Sequence, residues 1–168
     1  MKKITKILSC SALLLLLATR PVFAKGHISD GLYWLYDDCK NLKALESYKT
    51  LKRDGFSIVY FENGNMKDQF GYQNGILEGT AREYFEDGKL FLKRQFKNGQ
   101  LQGSSQRYHK NGKLWVDLKF KDNQLEGLAL IYTNRGFLDK VITYQKGKIV
   151  NIKDIDQEGH IIYEKKFD

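Results

Sequence analysis

Hydrophobic positions recur along the chain with a period of 24 residues. Self-similarity at a fixed period is the signature of a repeat architecture. Four hydrophobic columns define the repeat: Tyr60, Tyr84, Tyr108 and Tyr132; Met66, Leu90, Leu114, Leu138 and, after a one-residue deletion, Ile161; Tyr72, Phe96, Phe120, Tyr144 and Phe167; and Leu77, Leu101, Leu125 and Ile149. The pattern therefore predicts a stack of similar units.

Glycine follows the same period in three series, which predicts turns at fixed places in each unit. The series are Gly64, Gly88, Gly112, Gly136 and Gly159; Gly75, Gly99, Asn123 and Gly147; and Gly55, Gly79, Gly103 and Gly127, followed by Asn151. Asparagine replaces glycine at positive φ more readily than most residues do. We therefore expect both Asn123 and Asn151 to adopt positive φ.

Each unit has the pattern of a β-hairpin, as the stretch from Gly79 to Gln102 illustrates. Two short strands flank Glu86-Asp87-Gly88, which suits a three-residue loop, a type I turn followed by a residue in the αL conformation. Such a loop pairs Tyr84 with Leu90 and Phe85 with Lys89. The following Asn98-Gly99 is typical of a two-residue loop, which would pair Leu101 with Phe96.

Simple alternation along the second strand places Leu90, Leu92 and Phe96 on one face, together with Tyr84. If Leu101 shares that face, Tyr108 falls on the other one, although it belongs to the same column as Tyr84. We therefore expect an irregularity near Gly103 and its equivalents, where glycine permits a bulge.

These features predict an all-β fold, an elongated single-layer antiparallel meander built of repeated hairpins. The repeat array covers residues 31–168 as about five and a half repeats of roughly 24 residues each. The first repeat is degenerate, because Lys40 and Leu51 stand where the other repeats have glycine. Residues 41–53 could instead form a short helix, and we favour the degenerate repeat.

Residues 1–24 are typical of a secretory signal peptide, with a basic start, an apolar stretch and a small residue, Ala24, before the cleavage point. Residues 25–30 form a short lead-in to the array. The alternatives are an uncleaved anchor, although the apolar stretch is short for a membrane span, and a lipoprotein modified at Cys10. Removal of the segment lowers the formal net charge from +8 to +4, because it holds four basic and no acidic residues. We expect an exported protein, periplasmic or secreted.

The chain contains two cysteines, Cys10 and Cys39, which cannot form a disulfide framework. Cleavage of the signal peptide would leave Cys39 as a lone thiol in an oxidising compartment. It would then be buried and inert or pair with another chain. We expect burial, because free cysteine is among the most buried residue types.

Catalytic and cofactor motifs are not apparent. The histidines His27, His109 and His160 have no metal-ligand spacing, and His109 shares a column with Phe61 and Phe85, which favours packing. The pair Asp37-Asp38 suits a solvated turn. Basic and acidic residues alternate, which argues against a nucleic-acid stripe. We therefore predict a non-enzymatic protein without cofactor, metal or nucleic acid.

Candidate contact residues are those that interrupt the polar positions of the repeat. Phe91 and Trp115 are 24 residues apart and should stand side by side on the face opposite Leu90 and Leu114. Exposed aromatic pairs are typical of partner contacts. Nearby Lys93 and Lys119 could attract an acidic partner or lipid headgroups. Alternatively, the aromatic pair forms a second small cluster with Val141 or Ile131, and the lysines only form a solvated face.

The unit from Tyr84 to Leu90, followed by Phe96-Lys-Asn-Gly-Gln-Leu-Gln-Gly103, resembles the bacterial variant of the MORN repeat (membrane occupation and recognition nexus). The resemblance covers about residues 31–167, and departures such as Asn123 concern its ends. It implies an extended antiparallel sheet and a binding or scaffolding role without shared catalytic residues.

Many bacterial relatives are labelled antitoxins, and some MORN proteins are linked to phospholipids. The resemblance thus implies an exported protein that binds another protein, possibly a toxin, as an immunity or antitoxin-like inhibitor. The alternative is an envelope-associated module that binds anionic phospholipid headgroups. A hydrolase or a glycan-binding protein has less support.

Overall fold

The computed structural model describes residues 30–167, and every strand in this part of the chain belongs to one sheet. The strands are β1 (Gly31–Tyr36), β2 (Leu42–Lys49), β3 (Lys52–Tyr60), β4 (Met66–Gln73), β5 (Ile76–Leu77), β6 (Gly79–Tyr84), β7 (Leu90–Lys97), β8 (Gln100–Tyr108), β9 (Leu114–Lys121), β10 (Gln124–Leu125), β11 (Gly127–Tyr132), β12 (Leu138–Gln145), β13 (Lys148–Ile155) and β14 (Ile161–Lys166). The predicted signal peptide lies outside the described residues.

The strands follow one another across the sheet in chain order, and all pairs are antiparallel. The short strands β5 and β10 extend the pairing of β4 and β9. The predicted all-β meander is therefore confirmed. Within residues 30–167, no helix exists that is long and apolar enough to cross a membrane.

The three-residue loops have the predicted geometry. Gly88 adopts φ +83, and its N–H donates to the carbonyl of Phe85 at 2.9 Å. The N–H of Phe85 donates to the carbonyl of Lys89 at 2.8 Å, and Tyr84 pairs with Leu90. The equivalent pairs, Tyr60 with Met66, Tyr108 with Leu114 and Tyr132 with Leu138, share the face of the sheet that we call the tyrosine face.

The predicted side-chain alternation after this loop is wrong at one residue. Tyr84 pairs with Leu90, but Glu83 pairs with Leu92, so Phe91 is an extra, bulged residue. A one-residue bulge shifts every later side chain to the other face. Leu92 and Phe96 therefore lie opposite the tyrosine face, whereas Leu90 lies on it.

The predicted irregularity near Gly103 is present, but it does not exchange the faces. Leu101 pairs with Phe96 and Ser105 pairs with Arg94, so three residues of β8 stand against one of β7. Gly103 has φ +73, which an L side chain adopts only with strain. Because the excess is two residues, Leu101 and Ser105 remain on one face, and the bulge at Phe91 returns Tyr108 to the tyrosine face.

The two predicted asparagine substitutions have different outcomes. Asn123 adopts φ +63 and occupies a glycine position as expected. Asn151 is not among the residues with positive φ, so its assignment to the third glycine series is wrong. It pairs with Thr143, and Ile152 pairs with Ile142, because the one-residue deletion of the last repeat falls between Ile149 and Ile152. The deletion removes the glycine position itself.

The degenerate first repeat is confirmed, because Leu42–Lys49 is strand β2 rather than a helix. Lys40 and Leu51 both adopt φ +65 at the glycine positions. Asp37 and Asp38 lie in the turn between β1 and β2, where Asp37 Oδ1 accepts hydrogen bonds from the N–H groups of Cys39 and Asn41. Hydrogen bonds from the side chain and backbone of Asn41 lower the pKa of Asp37.

Cys39 does not show the expected burial. It lies in this exposed turn, where hydrophobic neighbours are too few to cover it. Its sulfur is disulfide-bonded, so the interpretation as a lone thiol is also wrong.

The most buried positions form a row of small residues on the face opposite the tyrosines. Ser57, Ala81, Ser105 and Ala129 are 24 residues apart and only 3%, 2%, 8% and 2% exposed. Each is flanked across the ladder by larger side chains, as Ser105 is by Arg94 and Leu118. We call this side of the sheet the small-residue face. A single-layer sheet thus obtains its best-packed region from large residues that cover small neighbours on the same face.

Candidate functional site

The four predicted contact residues do not lie on one surface. Phe91 and Trp115 are on the small-residue face, opposite Leu90 and Leu114 as expected. Lys93 pairs with Arg82 and Gln106, and Lys119 pairs with Ser104, which places both lysines on the tyrosine face. The bulge at Phe91 explains the separation, since Phe91 and Lys93 would share a face in a regular strand.

Phe91 and Trp115 belong to a ring cluster near the three-residue loops. The ring centroids of Phe85 and Phe91 are 4.9 Å apart, with a tilt of 56°. Those of His109 and Trp115 are 5.3 Å apart and stacked at 27°. The expected packing role of His109 fits this contact.

The guanidinium of Arg107 lies between the two predicted aromatic residues. Its Cζ is 5.4 Å from the ring centroid of Phe91 and 5.6 Å from that of Trp115. Arg107 is on β8, between the strands that carry the two rings. Both distances are within the range of cation–π contacts. We call Phe85, Phe91, Arg107, His109 and Trp115 the aromatic cluster.

The aromatic cluster is partly open to solvent. Trp115 is 39% exposed, Arg107 is exposed, and the three other members are half-buried. An open depression of about 560 Å³ adjoins Phe85 and is otherwise lined by the polar loop residues Asn63, Glu86, Asp87 and Lys110. The cluster and the depression together offer apolar, cationic and hydrogen-bonding groups on one side of the sheet.

The alternative cluster with Val141 or Ile131 is not the one that forms. Val141 pairs with Leu130 on the tyrosine face, so it cannot contact the aromatic rings. Ile131 lies on the small-residue face, where it pairs with Val116 and Lys140. The ring partners of Phe91 and Trp115 come instead from the loop ends, at Phe85 and His109.

On the small-residue face, two other arginines contact aromatic rings but are neutralised. Arg53 lies 5.4 Å from the Tyr72 centroid and makes an ion pair with Glu46 at 2.8 Å. Arg94 lies 5.6 Å from the Phe96 centroid and makes an ion pair with Glu83. Among residues 30–167, Arg107 makes no ion pair and no hydrogen bond through its side chain; its recorded side-chain contacts are with the two rings.

The predicted lysines on the tyrosine face are dispersed. The Nζ of Lys119 lies 2.5 Å from Ser104 Oγ and 3.4 Å from Asp117, which occupies this amine locally. Lys93 neighbours Arg82, whose guanidinium donates to Gln69 at 3.4 Å. These groups do not form a concentrated basic patch with the aromatic cluster.

One group of residues could offer metal ligands, at the loop before β14. Asp156, Glu158 and His160 bring one ligand atom each to within 4.8 Å of one another. Asp156 Oδ1 accepts hydrogen bonds from the N–H groups of Glu158 and His160, and the His160 bond is the main cause of the lowered pKa of Asp156. Loop formation accounts for this arrangement, because the carboxylate bonds its own turn.

Sequence reasoning missed Arg107 and two 24-residue columns. One column is the small-residue row. The other is a set of carboxylates that each accept a hydrogen bond from a backbone N–H in a two-residue loop, such as Glu78 from Asn98 at 2.7 Å and Glu126 from Lys146 at 2.7 Å. Comparison of polar and small positions between repeats would have found both columns.

Arg107 gave no such signal, because it has no equivalent arginine one repeat away: Glu83 and Ile131 occupy those positions. Its neighbours on β7 and β9 depend on the bulge at Phe91, which the sequence pattern did not reveal.

The comparison with protein families identifies two adjacent units. Residues 77–98 and 101–122 each match the family model described as a MORN repeat variant. No curated protein is significantly similar to the chain. The matched units contain Phe85, Phe91, Arg107, His109 and Trp115, so the whole aromatic cluster lies in the part of the chain that the family model recognises.

Proposed function

Because the chain carries MORN repeats of the variant type, at residues 77–98 and 101–122, we propose that it is an exported, non-enzymatic protein that binds another protein through the aromatic cluster. MORN repeats generally act as binding modules for proteins or membrane lipids. The choice of a protein partner is ours and rests on the surface chemistry of this chain.

The observation that carries the proposal is the exposed Trp115 beside Arg107 and Phe91 on the small-residue face. Tryptophan and arginine are enriched among the residues that dominate protein–protein binding energy. The cluster is also held in place by ladder pairing, so its ordering on binding would cost little conformational entropy.

The sharpest form of the proposal is an immunity or antitoxin-like inhibitor. Its mechanism would be steric, since a preformed sheet surface can cover the functional site of a toxin without any chemical step. A toxin gene adjacent to the gene of this chain would support this form. An export signal at residues 1–24 would make an extracytoplasmic partner the relevant one.

Capture of a partner by variants tests the proposal. The double substitution Phe91→Ala with Trp115→Ala should abolish capture of a specific protein from extracts of the organism that encodes the chain. The matched control is Leu128→Ala, which removes an exposed apolar side chain, 49% exposed, from the tyrosine face. Mass spectrometry identifies the captured proteins, and thermal melting checks that each variant is folded.

Capture of the same protein by the double variant as by the native chain would contradict the proposal. Loss of capture only in the Leu128→Ala variant would place the contact on the tyrosine face and also contradict it.

The alternative, binding of anionic phospholipid headgroups, has less support from the surface chemistry. Lys93 and Lys119 lie opposite the aromatic cluster, and the amine of Lys119 contacts Asp117. Co-sedimentation with anionic liposomes that disappears at high salt would favour this alternative over a protein partner.

A further inference from the structure

Arg107 differs from the two other ring-contacting arginines of the small-residue face in lacking an acidic neighbour that neutralises it. Arg53 is paired with Glu46, and Arg94 is paired with Glu83. The nearest ladder partners of Arg107 are Leu92 and Val116, which are both apolar. An unpaired guanidinium in such surroundings has five N–H donors and no local acceptor.

The rings on both sides restrict the orientation of this guanidinium. Phe91 and Trp115 lie 5.4 Å and 5.6 Å from its Cζ on adjacent strands. A planar fork held between two aromatic rings keeps its donor edge free, and that edge matches the two oxygens of a carboxylate. The apolar neighbours strengthen such a contact, because they lower the local dielectric constant.

We propose that Arg107, held between Phe91 and Trp115, is the receptor for a carboxylate side chain on an extended acidic segment of the partner protein. This inference rests on the proposed function and deepens it. The positive charge of the mature chain, formally +4, complements such a segment. The apolar ring faces beside Arg107 would cover the aliphatic part of the acidic side chain.

Titration with a defined acidic peptide tests the inference. The probe is a blocked hexaglutamate, and the matched neutral probe is a blocked hexaglutamine. The chain has two tryptophans, Trp34 and Trp115, so a Trp34→Phe background leaves Trp115 as the reporter beside the site. We expect a saturable change in Trp115 fluorescence with hexaglutamate and none with hexaglutamine. Equal responses to the two peptides would overturn the inference.

Three substitutions in that background separate Arg107 from general electrostatic attraction. Arg107→Gln should raise the dissociation constant for hexaglutamate by about tenfold, because it removes a charge-assisted pair. Arg107→Lys should give a smaller increase, since it keeps the charge but loses the fork. Arg82→Gln removes the same charge from the tyrosine face and should change the constant less than about twofold. Equal effects of Arg107→Gln and Arg82→Gln would overturn the inference.

Two further probes test other sources of anionic oxygens. Inorganic phosphate should compete with hexaglutamate only weakly, and vesicles of phosphatidylcholine with phosphatidylglycerol should not bind in an Arg107-dependent manner. Tight competition by phosphate, or vesicle binding that Arg107→Gln abolishes, would overturn the assignment to a peptide carboxylate.

The peptide titration and the capture experiment fail in different ways. If capture requires Phe91 and Trp115 but hexaglutamate binds the Arg107→Gln variant normally, the protein-binding surface stands and the role of Arg107 is wrong. If hexaglutamate binding requires Arg107 but the Phe91→Ala, Trp115→Ala variant captures the same proteins, the proposed function is wrong and the carboxylate site stands.

Discussion

The tyrosine face and the small-residue face of the sheet are built from the same 24-residue unit, but they are organised differently. On the tyrosine face, each hairpin joins one tyrosine to one aliphatic residue, as Tyr84 pairs with Leu90. On the small-residue face, large residues cover a continuous row of small ones, such as Ala81. The row makes the small-residue face the better-packed side. It also carries the aromatic cluster, so packing and candidate binding share one face.

The comparison teaches that the division between the faces depends on a single residue per unit. Leu90 and Leu92 belong to different faces only because Phe91 is bulged. The same residue then places its ring against Phe85 and Arg107. The irregularity that keeps the two faces distinct also positions a member of the candidate site.

Deletion of Phe91 breaks the comparison most directly and should have the largest effect. Without the bulge, Leu92 and Phe96 would move to the tyrosine face, and the small residues of β6 and β8 would lose their covering neighbours. We expect a loss of stability of about 3 kcal/mol or more, measured as the free energy of unfolding by circular dichroism. Deletion of Gly103 is the control, because it recreates the register that β13 already has at Ile149–Ile152. An equal or larger loss from the Gly103 deletion would contradict the role of the bulge.

Adjacent serines on β8 sharpen the comparison with a matched pair of substitutions. Ser105 is 8% exposed on the small-residue face, whereas Ser104 is half-buried on the tyrosine face. Ser105→Leu should lower the free energy of unfolding by about 2 kcal/mol, since a larger side chain must displace Arg94 or Leu118. Ser104→Leu should change it by no more than about 0.5 kcal/mol. Similar values for both variants in urea denaturation would show that the faces are equally packed.

Acid titration of two aspartates gives the smallest expected effect. Burial on the small-residue face raises the pKa of Asp68, whereas hydrogen bonds from the side chain and backbone of Lys89 lower the pKa of Asp87 in its exposed loop. A raised folded-state pKa means that the folded state loses stability as pH rises from the unfolded value through the folded one. Asp68→Asn should therefore stabilise the chain slightly at pH 7, and the gain should vanish near pH 3.

Asp87→Asn serves as the opposite case. Its lowered pKa gives stability that is present above the unfolded pKa and lost as pH falls through the folded one, so the substitution should be unfavourable at pH 7 and neutral in acid. Thermal melts of both variants between pH 3 and pH 7 measure the two trends. Parallel pH profiles for the two variants would contradict the difference in environment.

The repeat pattern predicted the strands, the loops and the pairing of Tyr84 with Leu90, because turn chemistry and periodicity are local properties. It failed at Phe91, since a bulged residue is defined by the partner strand and leaves no mark in its own sequence. It failed at Asn151 because two residues equally spaced in the alignment stood on either side of a deletion. Trp115 could be proposed as a contact from its column, but Arg107 became visible only when β7, β8 and β9 were placed side by side.

The odd-numbered bulge and the even-numbered glycine irregularity together return the chain to the same side of the sheet after every unit. A tandem duplication or loss of one whole unit would therefore leave all other side chains on their original faces, and only one contact between neighbouring units would have to be remade. Changes in length by whole units are thus structurally inexpensive for this architecture, so the number of units can vary while the surface around Trp115 is retained.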